Sequence, residues 1–123
     1  MTFSELKIGQ TATIQKTFSE ADVTMFAGVS LDINPVHVSE GYAKDSLFGK
    51  RIVHGMLTAS LISAVLGIQL PGPGTIYLGQ ELKFTAPVRI GDTITATCGE
   101  YSATCAVEVS GISSTVAVTG ITL

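Results

Sequence analysis

The sequence predicts an α+β domain in which an antiparallel β-sheet wraps around one buried helix. Two features of the hydrophobic pattern carry this prediction. Residues 55–70 are apolar on nearly every side of a helix, which is typical of a helix buried in a core. From residue 75 onward the pattern changes to an alternation of apolar and polar residues, which is typical of strands. If the sheet packs against the helix, the apolar side chains of both elements are buried in one core.

A short strand and a capped helix are predicted at the start of the chain. Residues 11–18 alternate weakly and are rich in β-forming residues, which predicts a strand. Ser19 and Asp22 have the spacing of a capping box, in which each side chain bonds the backbone amide of the other residue. Apolar residues then recur at helical spacing, and we expect this helix to end near Gly28.

A loop is predicted between this helix and the buried one. Residues 31–36 contain an Asp-Ile-Asn-Pro core, and the residue before a proline avoids the α region. Residues 39–44 can form one or two helical turns. The buried helix begins at Gly55 and ends at the Pro-Gly-Pro-Gly run of residues 71–74.

Four strands are predicted after the buried helix, at residues 75–87, 92–100, 104–110 and 115–123. Cys98 and Cys105 lie opposite each other if a hairpin turns at Tyr101 and Ser102. We interpret both as small buried apolar side chains, and a cross-strand disulfide is the alternative that a reducing compartment disfavours. They match no metal-ligand spacing, and we expect no metal and no cofactor.

The size of the chain predicts a single domain over residues 1–123. Hydrophobic residues make up 46% of the sequence and charged residues only 14%, against roughly 25% charged residues in typical soluble domains. A surface so poor in charge is expected to contact another subunit. We therefore predict a homodimer or a higher homo-oligomer.

The charge pattern excludes nucleic acid as a partner, and the hydropathy pattern excludes a membrane. The net charge is −3, and the basic residues form no cluster of the kind that nucleic acid binding needs. The longest apolar stretch, residues 56–70, is interrupted by polar residues and is short for a bilayer span. Residues 1–10 lack the charged start and apolar run of a secretion signal. We expect a cytoplasmic protein that binds neither nucleic acid nor membrane.

Asp32 and His37 are the candidate acid–base pair. They lie five residues apart in a loop of restricted shape, because Pro35 fixes its own φ and Asn34 can hydrogen-bond the neighbouring backbone. Such a loop can hold a carboxylate and an imidazole around one water molecule. The alternative is that Asp32 and Asn34 only cap turns and that His37 only begins a helix.

Gly55 is the candidate site for a substrate carbonyl. It begins the buried helix, where the first amides lack partners within the helix and the positive end of the helix dipole lies. Because glycine has no Cβ, a carbonyl could approach this backbone, as an oxyanion hole for a thioester enolate requires. The alternative is that Gly55 only eases the start of the helix. We interpret the preceding His54 as a structural histidine.

Three segments of the sequence, taken in order, resemble the MaoC-like (R)-specific enoyl-CoA hydratases. Residues 26–37, Phe-Ala-Gly-Val-Ser-Leu-Asp-Ile-Asn-Pro-Val-His, are similar to the hydratase motif of that family. Residues 52–57 and 76–88 are similar to two further family segments. The resemblance implies a hot-dog fold, in which a sheet wraps a long central helix and usually dimerises into one continuous sheet.

The resemblance also implies an activity and a set of site residues. The activity is the reversible, (R)-specific hydration of trans-2-enoyl-CoA thioesters to (R)-3-hydroxyacyl-CoA. Asp32 and His37 match the catalytic pair, and the amide of Gly55 matches the group that holds the thioester carbonyl. Ser63 matches a helix position that arranges Asp32 or the water, although a serine on a packed helix often only bonds its own backbone. Asn34 is grouped with the substrate site as the residue that holds the loop's shape.

Leu31 departs from the family pattern, because many relatives have glycine immediately before the catalytic aspartate. If the backbone there needs a positive φ, leucine would distort the loop. The hairpin over residues 99–104 is also shorter than usual, which concerns the sheet edge more than the site.

Two other functions stay open on the sequence alone. A hot-dog acyl-CoA thioesterase would use a carboxylate to direct water at the carbonyl carbon, but the Asp-x-Asn-Pro-x-His loop argues against it. A non-catalytic acyl-thioester-binding subunit of a hetero-oligomeric dehydratase is disfavoured because Asp32 and His37 are both present.

Overall fold

A computed structural model describes residue 5 and residues 9–99, 104–109 and 112–122 of the chain. The strands of these residues form one antiparallel sheet: β1 (Thr11–Thr17), β2 (Ile76–Leu82), β3 (Thr93–Gly99), β4 (Thr104–Val109) and β5 (Ile112–Thr122), in the spatial order β1-β3-β4-β5-β2. The helices are α1 (Glu20–Ser30), α2 (Pro35–Val38), α3 (Glu40–Lys44) and α4 (Gly55–Ala64). Within the described ranges, no helix has the length and apolar character needed to cross a membrane.

The core lies between α4 and the sheet. Ile62 and Val65 from the helical side share one buried cluster with Ile94 and Ala96 of β3. Side chains along β3 alternate between buried and partly buried, because successive residues of a strand point to opposite faces. Each fully buried isoleucine or valine side chain contributes about 1.5–3 kcal/mol. The predicted α+β class is confirmed.

The capping box predicted at the start of α1 is present. Ser19 Oγ accepts from the Asp22 N–H at 3.2 Å, and Asp22 Oδ2 accepts from the Ser19 N–H at 2.9 Å. The helix runs to Ser30 rather than ending near Gly28. It ends there because Leu31 takes the left-handed conformation, with φ 66°, and donates its N–H to the Ala27 carbonyl at 2.9 Å. The position before Asp32 therefore does have a positive φ.

The helix predicted as buried begins at Gly55, but it is buried on one side only, because Met56, Ser60 and Ser63 are exposed. Its last residues are also not α-helical. The α-helix ends at Ala64 and continues as a π-helical segment, Val65–Gln69. The turn that follows bonds the Gly72 N–H to the Leu66 carbonyl at 3.0 Å. Most of the predicted helical length is therefore present, with a wider final turn.

The strand predicted over residues 75–87 is shorter in the structure, because β2 ends at Leu82. The residues after it leave the sheet and contact the segment that precedes α4. The Val88 carbonyl accepts from the Val53 N–H at 2.7 Å, and Ile52 forms an isolated bridge with Arg89. This pairing places residues 84–88 beside the start of α4. The last strand begins at Ile112, three residues earlier than predicted.

Cys98 is disulfide-bonded, which corrects our interpretation of two unpaired thiols. The β3–β4 register places Cys105, the only other cysteine of the sequence, directly opposite it. The hairpin brings these positions together, as the alternative interpretation required. The predicted turn at Tyr101 and Ser102 lies outside the described residues.

Candidate active site

The Asp32 carboxylate is presented by the loop between α1 and α2. Asp32 Oδ1 accepts from the Asn34 N–H at 3.2 Å, and Ser30 Oγ accepts from the Asp32 N–H at 3.1 Å. Asn34 is the N-cap of α2, where its Oδ1 accepts from the Val36 N–H at 3.1 Å. These bonds restrict the loop and leave Asp32 Oδ2 free of them. The side chain of Asp32 is half exposed.

His37 lies on α2 and is 8% exposed. Its Nδ1 is 2.8 Å from the Ile52 carbonyl oxygen. A carbonyl oxygen can only accept, so Nδ1 carries the proton and Nε2 is left as an acceptor in the neutral ring. This tautomer is the one that a base acting through Nε2 requires.

The structure brings Asp32 and His37 together. Asp32 Oδ2 lies 4.0 Å from His37 Nε2, which is too long for a direct hydrogen bond. One water molecule at about 2.8 Å from both atoms would see them at an angle of about 90°, which is within the range of ordinary hydrogen bonding. The pair can therefore share a single water.

His54 stacks on one face of the His37 ring. The two imidazoles stack with their centroids 3.9 Å apart and an interplanar angle of 26°. Phe26 packs edge-on against His54, at 4.8 Å between centroids. His54 is 1% exposed, and its Nε2 is 2.9 Å from the Asp32 carbonyl oxygen. Its Nδ1 is buried and has no hydrogen-bond partner within the part of the chain that the structure describes.

Asp32, His37 and His54 offer ligand atoms that lie within 4.8 Å of one another, a spacing that a metal ion could bridge. Nearly parallel rings direct their nitrogen lone pairs side by side rather than toward one ion, and zinc needs each nitrogen at about 2.0–2.1 Å. Nε2 of His54 is also engaged by the Asp32 carbonyl. The three residues fit a hydrogen-bonded acid–base group better than a metal site.

A cavity of about 440 Å³ opens beside Asp32. Asp32 and His54 form part of its polar wall. The remaining wall is mainly apolar and is contributed by the start of α4 and two flanking loops: Phe48, Ile52, Val53, Gly55, Met56, Thr58, Phe84, Thr85, Ala86, Pro87 and Val88. A mainly apolar cavity with a few polar groups at one end suits an acyl chain that carries a reactive head.

Gly55 begins α4 at the wall of this cavity. Among the described residues, none accepts a hydrogen bond from its amide, and the N-cap residue His54 provides no side-chain bond to the helix start. A Cβ built at this position would lie 2.9 Å from Cε1 of Phe84. The glycine therefore makes room for the Phe84 ring and leaves its own amide available.

Ser63 is not among the residues that line the cavity beside Asp32. It lines a second cavity of about 240 Å³ together with Met56, Ala59, Ser60 and Gln80. Its assignment to the substrate site stays a prediction. Asn34 occupies the position of a loop-holding residue, since its side chain caps α2.

Arg51 connects the segment that carries Ile52 to two helices, although the sequence alone does not single it out. Its side chain is 10% exposed and forms ion pairs with Glu20 at 2.7 Å and with Glu40 at 3.1 Å. The pKa of Arg51 is raised, mainly by its hydrogen bond to Glu20 and further by its bond to Glu40. Desolvation by burial is the second largest effect and acts in the opposite direction. These ion pairs connect α1 and α3 to Arg51. The next residue, Ile52, accepts the hydrogen bond that orients His37. A single arginine carries no periodic signal that could have revealed this role.

Comparison with known proteins gives one family. The sequence profile described as MaoC like domain matches residues 4–118. An (R)-specific enoyl-CoA hydratase of Rhodospirillum rubrum is 61% identical over 95 residues, which are 77% of this chain and 66% of that protein. A 3-hydroxybutyryl-CoA dehydratase of Methylorubrum extorquens is 52% identical over 92 residues, which are 75% of this chain and 59% of that protein. The chain thus spans somewhat less than two thirds of both curated relatives.

The fold has a close structural counterpart. The solved structure of an (R)-hydratase from A. caviae involved in PHA biosynthesis superimposes with a TM-score of 0.86 at 40% identity. The match covers 96% of this chain and 97% of that one. The hot-dog architecture implied by the sequence resemblance is confirmed.

Proposed function

The chain belongs to the MaoC-like family, and from this membership we propose that it catalyses the reversible, (R)-specific addition of water to trans-2-enoyl-CoA thioesters. The product is the (R)-3-hydroxyacyl-CoA. The observation that carries the proposal is the approach of Asp32 Oδ2 to His37 Nε2, at 4.0 Å, beside an apolar cavity that includes Gly55.

Asp32 and His37 hold and activate the water. Free water is a very weak acid and supplies too little hydroxide at neutral pH, so a base must remove a proton as the oxygen attacks Cβ. His37 Nε2 is an acceptor and Asp32 Oδ2 is an anionic oxygen, so both atoms can orient the water toward one carbon. The pair takes one proton from water and returns one proton to Cα, so the enzyme is unchanged at the end of the cycle.

The Gly55 amide stabilises the charge that moves to the thioester oxygen during this step. As Cβ accepts the hydroxyl group, the carbonyl oxygen becomes that of an enolate. An unpartnered N–H at the first turn of α4 lies at the positive end of the helix dipole, and a donor aimed at developing charge is worth about 10²–10³ in rate. The acyl chain then lies along the apolar wall formed by Phe84 and its neighbours.

The mutants Asp32→Ala and His37→Ala test the assignment. Each is expected to lower kcat for crotonyl-CoA hydration by at least ~10²-fold, the usual contribution of an acid–base group. Asp45→Ala, which removes an exposed carboxylate after α3, is the matched control and should keep full activity. Chiral analysis of the product checks the (R) configuration. Near-normal hydration by either site mutant, or release of free thiol by the wild type in place of a 3-hydroxyacyl thioester product, would reject the proposal.

We also propose that the protein works as a cytoplasmic homodimer, since CoA thioesters are intracellular metabolites. β2 is an edge strand of the sheet, and Ile76 at its start and Ile68 before it are 59% and 71% exposed. A second copy that pairs with this edge would extend the sheet and cover these exposed apolar side chains. Light scattering should give about twice the chain mass of 12.8 kDa, and a monomer at micromolar concentration would contradict the proposal.

A further inference from the structure

We infer that His54 is a positioning residue of this site, which donates its Nε2–H to the Asp32 carbonyl and stacks against the His37 ring. The inference has a structural part, namely that the two stacked imidazoles are fixed in opposite tautomers. Its kinetic part rests on the proposed hydratase function.

The tautomers follow from two main-chain carbonyls. His37 Nδ1 faces the Ile52 oxygen at 2.8 Å, and His54 Nε2 faces the Asp32 oxygen at 2.9 Å. A carbonyl oxygen has no proton to give, so the nitrogen that faces it must donate. The neutral His37 ring is therefore protonated at Nδ1 and the neutral His54 ring at Nε2. The bare nitrogen of His37 faces Asp32, whereas the bare nitrogen of His54 is buried without a partner among the described residues.

This arrangement gives the two histidines different tasks. His37 can exchange a proton at Nε2 without breaking its bond to Ile52. His54 has used its Nε2–H to hold Asp32, and its Nδ1 lies out of reach of solvent. His54 therefore acts through the other residues of the site rather than on the substrate.

The bond from His54 links the two halves of the site. Asp32 is otherwise hydrogen-bonded only by Ser30 and Asn34 of its own loop, within the residues described here. Leu31, which directly precedes Asp32, has a left-handed backbone conformation. The direction in which the chain leaves α1 toward Asp32 therefore depends on this one residue. His54 directly precedes Gly55, and its bond to the Asp32 carbonyl therefore sets how far the carboxylate loop lies from the start of α4.

Two substitutions separate the hydrogen bond from the stacking. His54→Phe keeps an aromatic ring against His37 and loses the donor. His54→Gln loses the ring but carries an amide nitrogen at the same distance along the side chain as Nε2. If the bond to Asp32 is the main contribution, glutamine should preserve the site better than phenylalanine.

Histidine NMR tests the structural part without any substrate. The chain has two histidines, so long-range ¹H–¹⁵N spectra contain two ring systems, and His37→Ala identifies the one that belongs to His54. We expect the ring-nitrogen shifts to show His37 protonated at Nδ1 and His54 at Nε2. The same tautomer in both rings, or an exchanging mixture in His54, would overturn the inference.

Kinetics test the positioning part. His54→Phe is expected to lower kcat by about 10–100-fold, with KM within about 3-fold of the wild type, because a misplaced catalytic group loses rate rather than binding. His54→Gln should recover most of that loss. Equal losses in the two variants, or an unaffected His54→Phe, would overturn the assignment. A wild type that hydrates no enoyl-CoA would reject the proposed function instead, while the NMR result would still decide the tautomers.

Discussion

Replacing Leu31 by glycine is expected to stabilise the protein, although leucine is the larger hydrophobic residue. Leu31 has φ 66° and ψ 11°, a left-handed conformation that costs a residue with a Cβ about 1–2 kcal/mol. Glycine removes this cost but gives the unfolded chain about 0.4–1 kcal/mol of extra conformational freedom. The Leu31 side chain is 81% exposed, so its removal sacrifices little buried surface. The net stabilisation is about 0.5–1 kcal/mol.

Thermal unfolding followed by circular dichroism measures this change. For a chain of this size the melting temperature should rise by about 2–5 °C. Met25→Gly is the matched control, because Met25 is also exposed but lies inside α1, where glycine weakens a helix by about 0.5–1 kcal/mol. Hydration activity of Leu31→Gly should stay within about 2-fold of the wild type, since the backbone path to Asp32 is retained. Equal destabilisation by both glycines would show that Leu31 is not strained and would refute the reasoning.

Two further substitutions test the start of α1 and the start of α4. The backbone hydrogen bond from Ser19, followed by the bond to Lys16, lowers the pKa of Asp22 from its ordinary value. The stabilisation by this carboxylate is therefore present above the unfolded pKa and is lost as the pH falls through the lowered pKa. Asp22→Asn should destabilise the protein in urea unfolding at pH 7, with a difference from wild type that shrinks as the pH falls through the acidic range; a constant difference would contradict this. Gly55→Ala should lower kcat/KM at least about tenfold, because its Cβ would lie 2.9 Å from the Phe84 ring and the added methyl group should hinder a carbonyl that approaches the Gly55 amide. The loss should persist in Gly55→Ala/Phe84→Ala, and full recovery in that double mutant would attribute it to the ring alone.

The parts of the fold that the sequence predicts well are those decided by neighbouring residues. The capping box of Ser19 and Asp22 and the start of α4 at Gly55 depend on side chains within a few positions, and both are present. The end of β2 at Leu82 could not be predicted in this way. Residues 83–87 keep a strand-like pattern, but they lie outside the sheet, and the next residues, Val88 and Arg89, pair with the segment before α4, far away in sequence.

The same distinction applies to the site. Asp32 and His37 could be selected because they share one loop whose shape is restricted by its own residues. His54 could not be recognised as their partner, because it bonds a main-chain oxygen 22 positions earlier. A carbonyl is present at every residue and leaves no mark in a sequence. The placement of Ser63 in a second cavity likewise depends on how the sheet meets α4, which no local pattern reveals.

The carbonyl oxygens of Ile52 and Asp32 therefore determine which ring nitrogen of His37 and of His54 is available. The side chains of Ile52 and Asp32 do not determine it. Substituting the Ile52 side chain leaves its carbonyl in place, so His37 should keep its Nδ1–H tautomer. A change that moves the backbone acts differently: Arg51, adjacent to Ile52, is held by Glu20 and Glu40 on two separate helices. We expect that releasing Arg51 would shift the Ile52 carbonyl that orients His37 without altering any group that meets the substrate. On this expectation, the geometry of the acid–base pair depends on ion pairs whose residues do not line the cavity.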